Sequence, residues 1–289
     1  METFLDCLPC VLGQVLEASR MATDDAEIQA KIMEKAVAIL ADYKQYSCSP
    51  AIVRDMHQVV KQLTGVSDPY SAIKARDIRA AKKAEPFLTH FLEQKQDKLY
   101  WALKIAATGN ILDSAICQNV DIEAGLETEL NKAFSVCDIG VLQDALATAK
   151  QILIIGDNAG ETVFDRFLIK QLAALHVVYA VRSEPIINDA TMQDALDSGL
   201  HDLAEVISTG CGAPGAILAE CSPAFLSAFE SSDIVISKGQ GNFEALSDCQ
   251  RPLFFILKAK CTMIAARLSV SLNDYVCLYA TPSAEASDD

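Results

Sequence analysis

The sequence has few basic residues and no long apolar segment. Its 289 residues include 24 Lys and Arg against 39 Asp and Glu, which gives a formal net charge of -15. Because an acidic surface repels a polyphosphate backbone, this balance argues against nucleic acid as a partner. No stretch of about 18 apolar residues occurs, so we expect no transmembrane helix and no membrane partner. The start of the chain lacks the basic and apolar segments of a signal peptide, which predicts a cytoplasmic protein.

Zinc ligands are also scarce. The chain has four histidines and one CxxC pair, formed by Cys7 and Cys10. A structural zinc site usually takes four ligands, and no second CxxC or paired histidine accompanies this one. Core packing on a helical stripe is therefore the favoured role of the pair, with redox chemistry as the alternative. Ten cysteines without a secretion signal indicate a reduced, cytosolic protein.

The apolar pattern changes near residue 150. Before it, apolar residues recur at three- and four-residue spacing without convincing strand alternation, which predicts an α-helical N-terminal region over 1–148. Pro50, Pro69 and Pro86 are expected near helix starts in this region. After it, β-branched runs alternate with helical stretches, which predicts a doubly wound, parallel α/β sheet over 149–281 and a flexible acidic tail over 282–289. The predicted strands are 152–155, 177–181, 205–208, 233–237, 253–257 and 275–279.

A first polar cluster, Asp157-Asn158-Ala159-Gly160-Glu161, directly follows the strand predicted at 152–155. Its carboxylate and amide oxygens suit a hard divalent cation such as Mg²⁺ or Mn²⁺. An Asx turn beside a capped helix explains the same residues equally well. Glu161, in the first turn of the next helix, is better explained as a partner of the helix dipole than as a ligand.

Asp189 follows the second predicted strand. Adjacent strand ends of a parallel sheet converge on one crevice, so Asp189 can supply another carboxylate to the same cation. The alternative is that Asn188 or Asp189 is the N-cap of a helix beginning at Ala190. Because Asp189 is expected to lie next to the first cluster, we favour the ligand role for it.

A second cluster, Lys238-Gly239-Gln240-Gly241-Asn242, follows the strand predicted at 233–237. A lysine beside flexible glycines at a strand end can approach a phosphate closely, and backbone N–H groups add donors. The order of residues is neither that of a Walker A loop nor GxGxxG. A glycine-rich turn with a solvated lysine remains the alternative.

Two further segments are candidates. The loop that begins at Thr209 lies at the same sheet edge and either shapes a substrate pocket or only connects two elements. Asn110 and Asp113, which follow an apolar helix, either point into the crevice or end one helix and cap the next.

Taken in order, five motifs resemble the damage-control phosphatase family, which is related to the so-called acidic-residue methyltransferase-1 proteins. They are the CxxC pair, GNxxD at 109–113, DNAGE at 157–161, NDAT at 188–191 and KGQGNFE at 238–244. The resemblance spans almost the whole chain, and the CxxC pair is similar to the mainly prokaryotic branch. It implies a helical region packed on a Rossmann-like α/β domain.

The resemblance also implies a site. A divalent metal ion (manganese, cobalt, nickel or magnesium) would be held by Asp157, Asn158 and Asp189, and Lys238 would bind the substrate phosphate. The expected substrate-binding residues are Asn110, Asp113, Glu161, Asn188, Thr209, Gly239, Gly241 and Asn242.

The reaction implied is hydrolysis of small phosphomonoester metabolites, such as sugar phosphates or damaged phosphometabolites. Either a metal-positioned water or Asp157 is the nucleophile. Two alternatives come from other classes. One is an S-adenosylmethionine-dependent carboxyl methyltransferase, which the absence of a GxGxG loop after the first strand argues against. The other is a protein that binds a phosphometabolite without turnover.

Overall fold

The computed structural model describes residues 1–109 and 122–282. Seven strands in these ranges form one sheet with the order β1-β7-β6-β5-β2-β3-β4. All neighbouring strands are parallel except β6 and β7. The α/β fold class with a mostly parallel sheet is therefore confirmed. The strands are β1 (Phe134–Cys137), β2 (Gln151–Ile155), β3 (His176–Val181), β4 (Glu205–Ser208), β5 (Ile234–Lys238), β6 (Leu253–Lys258) and β7 (Tyr275–Ala280).

The order of the strands reverses between β2 and β5. From β2 the chain proceeds through β3 to β4 on one side, and it then returns to form β5 on the other side of β2. A reversal of this kind separates the loops that follow the two central strands and opens a crevice beyond their carboxyl ends. The two polar clusters of the sequence follow these same two strands.

Helices cover both faces of the sheet. The α-helices are α1 (Cys7–Ala22), α2 (Ala26–Ala41), α3 (Ser49–Thr64), α4 (Ser71–Glu93), α5 (Lys98–Thr108), α6 (Ile122–Leu130), α7 (Ile139–Leu146), α8 (Glu161–Gln171), α9 (Met192–Ser198), α10 (Pro223–Ser231), α11 (Gln240–Leu246) and α12 (Thr262–Leu268). In β2, Ile152 and Ile154 pack towards α5 and α8, whereas Leu153 and Ile155 pack towards α10, α11 and α12. Burial on both faces explains why the central strands are continuous apolar runs.

The first three helices have a core of their own. Val15 of α1, Ile32 of α2 and Met56 of α3 are fully buried in one cluster, which Ile186 of the loop after β3 also joins. Ion pairs hold α3 to the α/β part, including one between Lys61 and Glu184 with an N–O distance of 2.9 Å. Within the described ranges, no helix is long and apolar enough to cross a membrane.

Two expectations for the N-terminal half are wrong. Strand β1 lies in the region predicted to be helical, because its four residues are too few to display an alternating pattern and only Phe134 among them is buried. Pro86 lies inside α4 rather than at a helix start. Pro50, in contrast, occupies the first turn of α3 as expected.

Candidate functional site

The loops after β2 and β3 are joined by backbone contacts at the crevice. Asn158 and Asp189 form an isolated antiparallel bridge. The backbone N–H of Ala159 donates to the carbonyl of Asn188 at 2.8 Å, and that of Ala190 donates to the carbonyl of Asp157 at 2.8 Å. The expectation that these strand ends converge is met by this pairing, which fixes Asp157, Asn158 and Asp189 beside one another.

The structure does not support the capping roles considered for these residues. Helix α8 has Gly160 at its N-cap and no side-chain cap. Helix α9 begins at Met192, and Thr191 caps it in a capping box with Asp194. Asn188 and Asp189 therefore precede the cap, and their side chains are not needed to start the helix.

Four buried carboxylates face two buried cations at this point. Lys238 places its ammonium nitrogen 2.6 Å from Glu161 Oε2 and 2.6 Å from Asp165 Oδ1. Arg182 donates from Nε to Asp189 Oδ2 at 2.7 Å. Asp157 is the fourth carboxylate, and the Asn158 amide lies 3.3 Å from it. With all groups charged, the cluster has a formal excess of two negative charges.

Burial and neighbouring charges affect how three of these carboxylates titrate. Burial, then the charges of Asp189 and Glu161, raise the pKa of Asp157 to about 7. Burial also raises the pKa of Asp165 to about 6, although Lys238 opposes the change. The pKa of Asp189 is raised by burial as well, against the attraction of Arg182. Burial, more than the neighbouring charges, therefore favours the protonated form of Asp157, Asp165 and Asp189.

A hard divalent cation fits these residues. Among the described parts of the chain, no three His, Cys, Asp or Glu side chains are arranged to hold a metal ion by themselves. The candidate set instead mixes the carboxylates of Asp157 and Asp189 with the amide of Asn158. The amide nitrogen donates to Glu161 Oε1 at 2.9 Å, so the amide oxygen is the atom that a cation would use. Oxygen donors of this kind suit magnesium or manganese, and two positive charges would balance the excess.

A cavity of about 200 Å³ opens onto these residues. Five of the residues predicted from the sequence line it, together with residues of α1, α3 and α11 and of the loops after β3, β4 and β6. The predicted ones are Asp157, Asn158, Asn188, Asp189 and Gly241; the others are Gln14, Pro50, Val53, Ile187, Pro214, Gln240, Glu244 and Lys260. The cavity thus has one wall from the strand ends and another from the N-terminal helices.

Glycine is required at two positions of the second cluster, because neighbouring groups lie too close to leave room for a Cβ atom. Gly239 has φ +81°, and a Cβ atom there would overlap the carboxylate of Asp157, whose Oδ1 would be 2.7 Å away. A Cβ atom on Gly241 would overlap the carbonyl oxygen of Pro214. The glycines therefore allow the loop after β5 to lie directly against the metal-ligand candidate and the loop after β4.

Asn242 connects the strand ends. Its amide nitrogen donates to the carbonyls of Gly156 at 2.9 Å and Lys238 at 2.7 Å. Its amide oxygen accepts from Arg182 Nη1 and from the backbone N–H of Ala216, both at 3.0 Å. All four hydrogen-bonding positions of the amide are thus used inside the protein, which gives Asn242 a positioning role.

The other predicted residues take different places. Glu161 and Lys238 are buried and paired with each other, and neither is among the residues that line the cavity. Thr209 is fully buried, and its hydroxyl exchanges hydrogen bonds with the backbone of Cys211 at 3.2 Å. Asn110 and Asp113 lie outside the described residues. Gly109, the residue before them, contacts the first turn of α8, where a Cβ atom would be 2.7 Å from Glu161 Cγ.

The sequence analysis missed three charged residues of the site. Arg182 and Asp165 complete the buried cluster, and Lys260 lines the cavity as an exposed cation after β6. The sequence contains a feature that could have indicated each of these three residues. Arg182 is a charge directly after an apolar strand, Asp165 lies one helical turn after Glu161, and Lys260 lies at the carboxyl end of a strand next to β5.

The expected core packing of the CxxC pair is wrong for Cys10, which is exposed. Cys7 and Cys10 lie at the start of α1 and line a second cavity of about 140 Å³, together with Cys261 at the N-cap of α12. Gln14, Val53, Gln240 and Glu244 line both cavities. The two spaces are therefore adjoining chambers.

The fold and the site together define the class: this is a doubly wound α/β protein with a carboxylate-rich cleft at the switch point of its sheet. Residues 3–276 match the damage-control phosphatase ARMT1-like domain, and the chain belongs to this family.

Similar proteins cover nearly all of the chain. A damage-control phosphatase of Pyrococcus horikoshii is 34% identical, and the alignment covers 96% of this chain and 98% of the relative. An uncharacterized protein of Methanocaldococcus jannaschii is 33% identical, with 94% of each chain covered. The crystal structure of a DUF89 family protein from P. horikoshii superposes with a TM-score of 0.89 at 32% identity, covering 97% of this chain and 100% of that one.

Proposed function

We propose that this protein is a metal-dependent phosphatase that hydrolyses small phosphomonoester metabolites. The observation that carries the proposal is the excess of buried negative charge beside a cavity at the switch point of the sheet. A site of this kind is stabilised by a bound cation, and a metal ion there can in turn attract a phosphate. Membership of a family that includes named phosphatases supports the same reaction.

The proposed ligands of the cation are Asp157, Asn158 and Asp189. Manganese, cobalt, nickel and magnesium all accept this donor set. When bound, the ion would polarise a phosphoryl oxygen and help to position the nucleophile. Arg182 keeps Asp189 directed towards the site, and Gly239 leaves room for the carboxylate of Asp157.

Two lysines are proposed to act on the phosphate. Lys260 is exposed, lines the cavity and can contact the dianion directly. Lys238 is our second candidate, because its ammonium group is a charged donor at the carboxyl end of β5, beside the cluster that includes Asp157 and Asp189. Together they would neutralise charge on the group being transferred.

The nucleophile is either a water or Asp157. Direct attack by Asp157 would produce an aspartyl phosphate on the chain, whereas attack by water would leave the chain unmodified. Quenching a single turnover in acid and mapping peptides by mass spectrometry separates the two. A phosphorylated peptide that contains Asp157 indicates covalent catalysis.

The function is tested by measuring phosphate release from an aryl phosphate and from a panel of phosphometabolites. The protein is first treated with a chelator, and each metal is then added back. We expect release only with a divalent cation, and none from Asp157→Asn, while the exposed Asp197→Asn serves as a matched control. Absence of release with every metal and substrate would overturn the proposal.

Calorimetry tests the two alternative functions, a methyltransferase and a binding protein. Calorimetric binding of S-adenosylmethionine would support a methyltransferase. Calorimetric binding of phosphometabolites without any release of phosphate would support a binding protein.

A further inference from the structure

Glu244 has a carboxylate oxygen that the protein leaves unused. Its side chain lines the cavity that Asp157 and Asp189 also line, and it lines the adjoining chamber as well. The oxygen Oε1 accepts a hydrogen bond from Gln240 Nε2 at 2.9 Å. The oxygen Oε2 has no hydrogen-bond donor among the described residues, and it is not enclosed, in contrast to the amide oxygen of Gln14. Oε2 is therefore open to a ligand.

None of the described Lys, Arg and His side chains pairs with the carboxylate of Glu244. Burial raises its pKa, although the hydrogen bond from Gln240 and the charge of the Met1 amino group oppose the change. That amino group is already paired with Asp248 at 2.9 Å, and it donates to the backbone carbonyl of Glu244. A carboxylate that has lost part of its hydration without gaining a cation is costly. A positively charged ligand would remove this cost.

The two spaces differ in charge. The described lining of the adjoining chamber includes Asp6 and Glu244 and contains no lysine, arginine or histidine. Of the two spaces, only the first has Lys260 in its lining. Lys260 and the proposed metal ion thus provide positive charge near the strand ends, whereas the wall shared by the two spaces is negative at Glu244.

From these observations we infer that Glu244 selects phosphomonoesters whose alcohol part carries an ammonium group. The inference rests on the proposed function, which places the phosphate at the strand ends beside Lys260. The ammonium group would donate to Glu244 Oε2, so that each charge of the substrate meets an opposite charge of the protein. A second phosphate or a carboxylate on the alcohol part would be repelled. The preferred class is therefore that of amino-substituted phosphomonoesters.

The test compares three phosphomonoesters of the same length, namely 3-aminopropyl, 3-hydroxypropyl and butyl phosphate. We expect the wild-type protein with Mn²⁺ to prefer the amino compound over the other two by about 10- to 100-fold in kcat/KM, the value of one hydrogen bond between charged groups. The same comparison is made with shorter and longer chains, and the preference is taken from the length that shows the largest value. Added KCl should weaken the preference, because salt screens the attraction between charges.

A substitution of Glu244 tests its role directly. Glu244→Gln keeps the shape and the acceptor for Gln240 but removes the negative charge. We expect it to lose the preference through a higher KM for the amino compound alone. Glu34→Gln, at an exposed position of α2, is the control and should keep the preference.

Three results would overturn the inference. The first is an unchanged preference in Glu244→Gln, and the second is an equal loss with all three substrates, which would indicate a structural role. The third is a wild-type protein that uses the hydroxyl or the alkyl compound as well as the amino compound, which would show that water suffices as the partner of Glu244.

Calorimetry with compounds that cannot be hydrolysed separates this inference from the proposed function. The ligands are 3-aminopropylphosphonate and butylphosphonate, each in the presence of Mn²⁺. Without turnover of any phosphomonoester the proposed function fails. Glu244 is then judged by whether the wild-type protein binds the amino compound more tightly and Glu244→Gln does not, and equal binding of the two ligands by the wild-type protein would overturn its role.

Discussion

Lys238 places its ammonium nitrogen 2.6 Å from a carboxylate oxygen of Glu161, and both side chains are almost fully buried. Asp165 binds the same ammonium group, and these carboxylates outweigh burial and raise the pKa of Lys238. Removing the cation would leave these two buried carboxylates without the positive charge that balances them, although Asn158 and Tyr179 would still donate hydrogen bonds to them. We predict that Lys238→Met loses about 3–5 kcal/mol of unfolding free energy, measured by urea denaturation. Lys150→Met, at an exposed position before β2, is the control, and a loss in Lys238→Met no larger than in this control would contradict the prediction.

Gly239 and Gly65 offer a matched pair of substitutions. Both have positive φ, +81° and +73°, but a Cβ atom at Gly65 would meet nothing within 4 Å. Alanine at either position should cost about 1 kcal/mol of stability through backbone strain. Gly239→Ala should also displace Asp157 and weaken Mn²⁺ binding by about 10- to 100-fold, as measured by calorimetry. Equal Mn²⁺ affinity in the two variants would show that Asp157 is not a ligand.

Asp157→Asn should have opposite effects with and without metal. In chelator at pH 8, the variant should be more stable than the wild type by about 1–3 kcal/mol, because a buried charge beside Asp189 and Glu161 is removed. Mn²⁺ should stabilise the wild type and not the variant, since a ligand that binds only the folded state raises its stability. Urea denaturation in both conditions measures the difference. A metal-free variant that is less stable than the wild type would be inconsistent with an excess of negative charge.

Lys260 is predicted to contact the phosphate. Lys260→Met should lower kcat/KM by about 10- to 100-fold, mainly through KM, because a hydrogen bond from a charged donor to the phosphate is lost. Steady-state kinetics with an aryl phosphate measures this. Lys31→Met, on the exposed side of α2, should leave the kinetics unchanged. An unaltered KM in Lys260→Met would remove this residue from the site.

His57 should make stability depend on pH. Burial, assisted by the charge of Lys61, lowers its pKa from 6.5 to about 4. Below pH 6.5 His57 becomes protonated in the unfolded chain but stays neutral in the folded protein until about pH 4. The free energy of unfolding therefore has its full value above pH 6.5 and falls as the pH is lowered towards 4. The loss from this residue should reach about 3 kcal/mol. His57→Gln should flatten the pH profile of unfolding by this amount, and a profile parallel to that of the wild type would contradict the assignment.

The central strands and the polar residues that directly follow them could be predicted because their signals are local. The run from Ile152 to Ile155 followed directly by Asp157 and Asn158 indicates a buried strand and its end. Phe134 to Cys137 gives no such signal, because this edge strand depends on its pairing with β7.

The long-range partners could not be predicted. Arg182 and Asp189 are seven positions apart, and nothing in their spacing shows that they form a buried pair. Lys238 was expected to be a phosphate ligand, but its contacts with α8 depend on how that helix packs beside β5. Gln14 lines the cavity because α1 lies across the crevice, a position that the sequence alone does not reveal.

The walls of the cavity come from different parts of the chain. Asp157, Asp189 and Lys260 follow strands, whereas Gln14, Pro50 and Val53 belong to helices that have a separate core. That separate core also contains Ile186 of the loop that carries Asp189, so substitutions in the first three helices would change the helical wall of the cavity and could shift Asp189 as well. The shape of the cavity and the position of a proposed metal ligand are thus coupled through one apolar core.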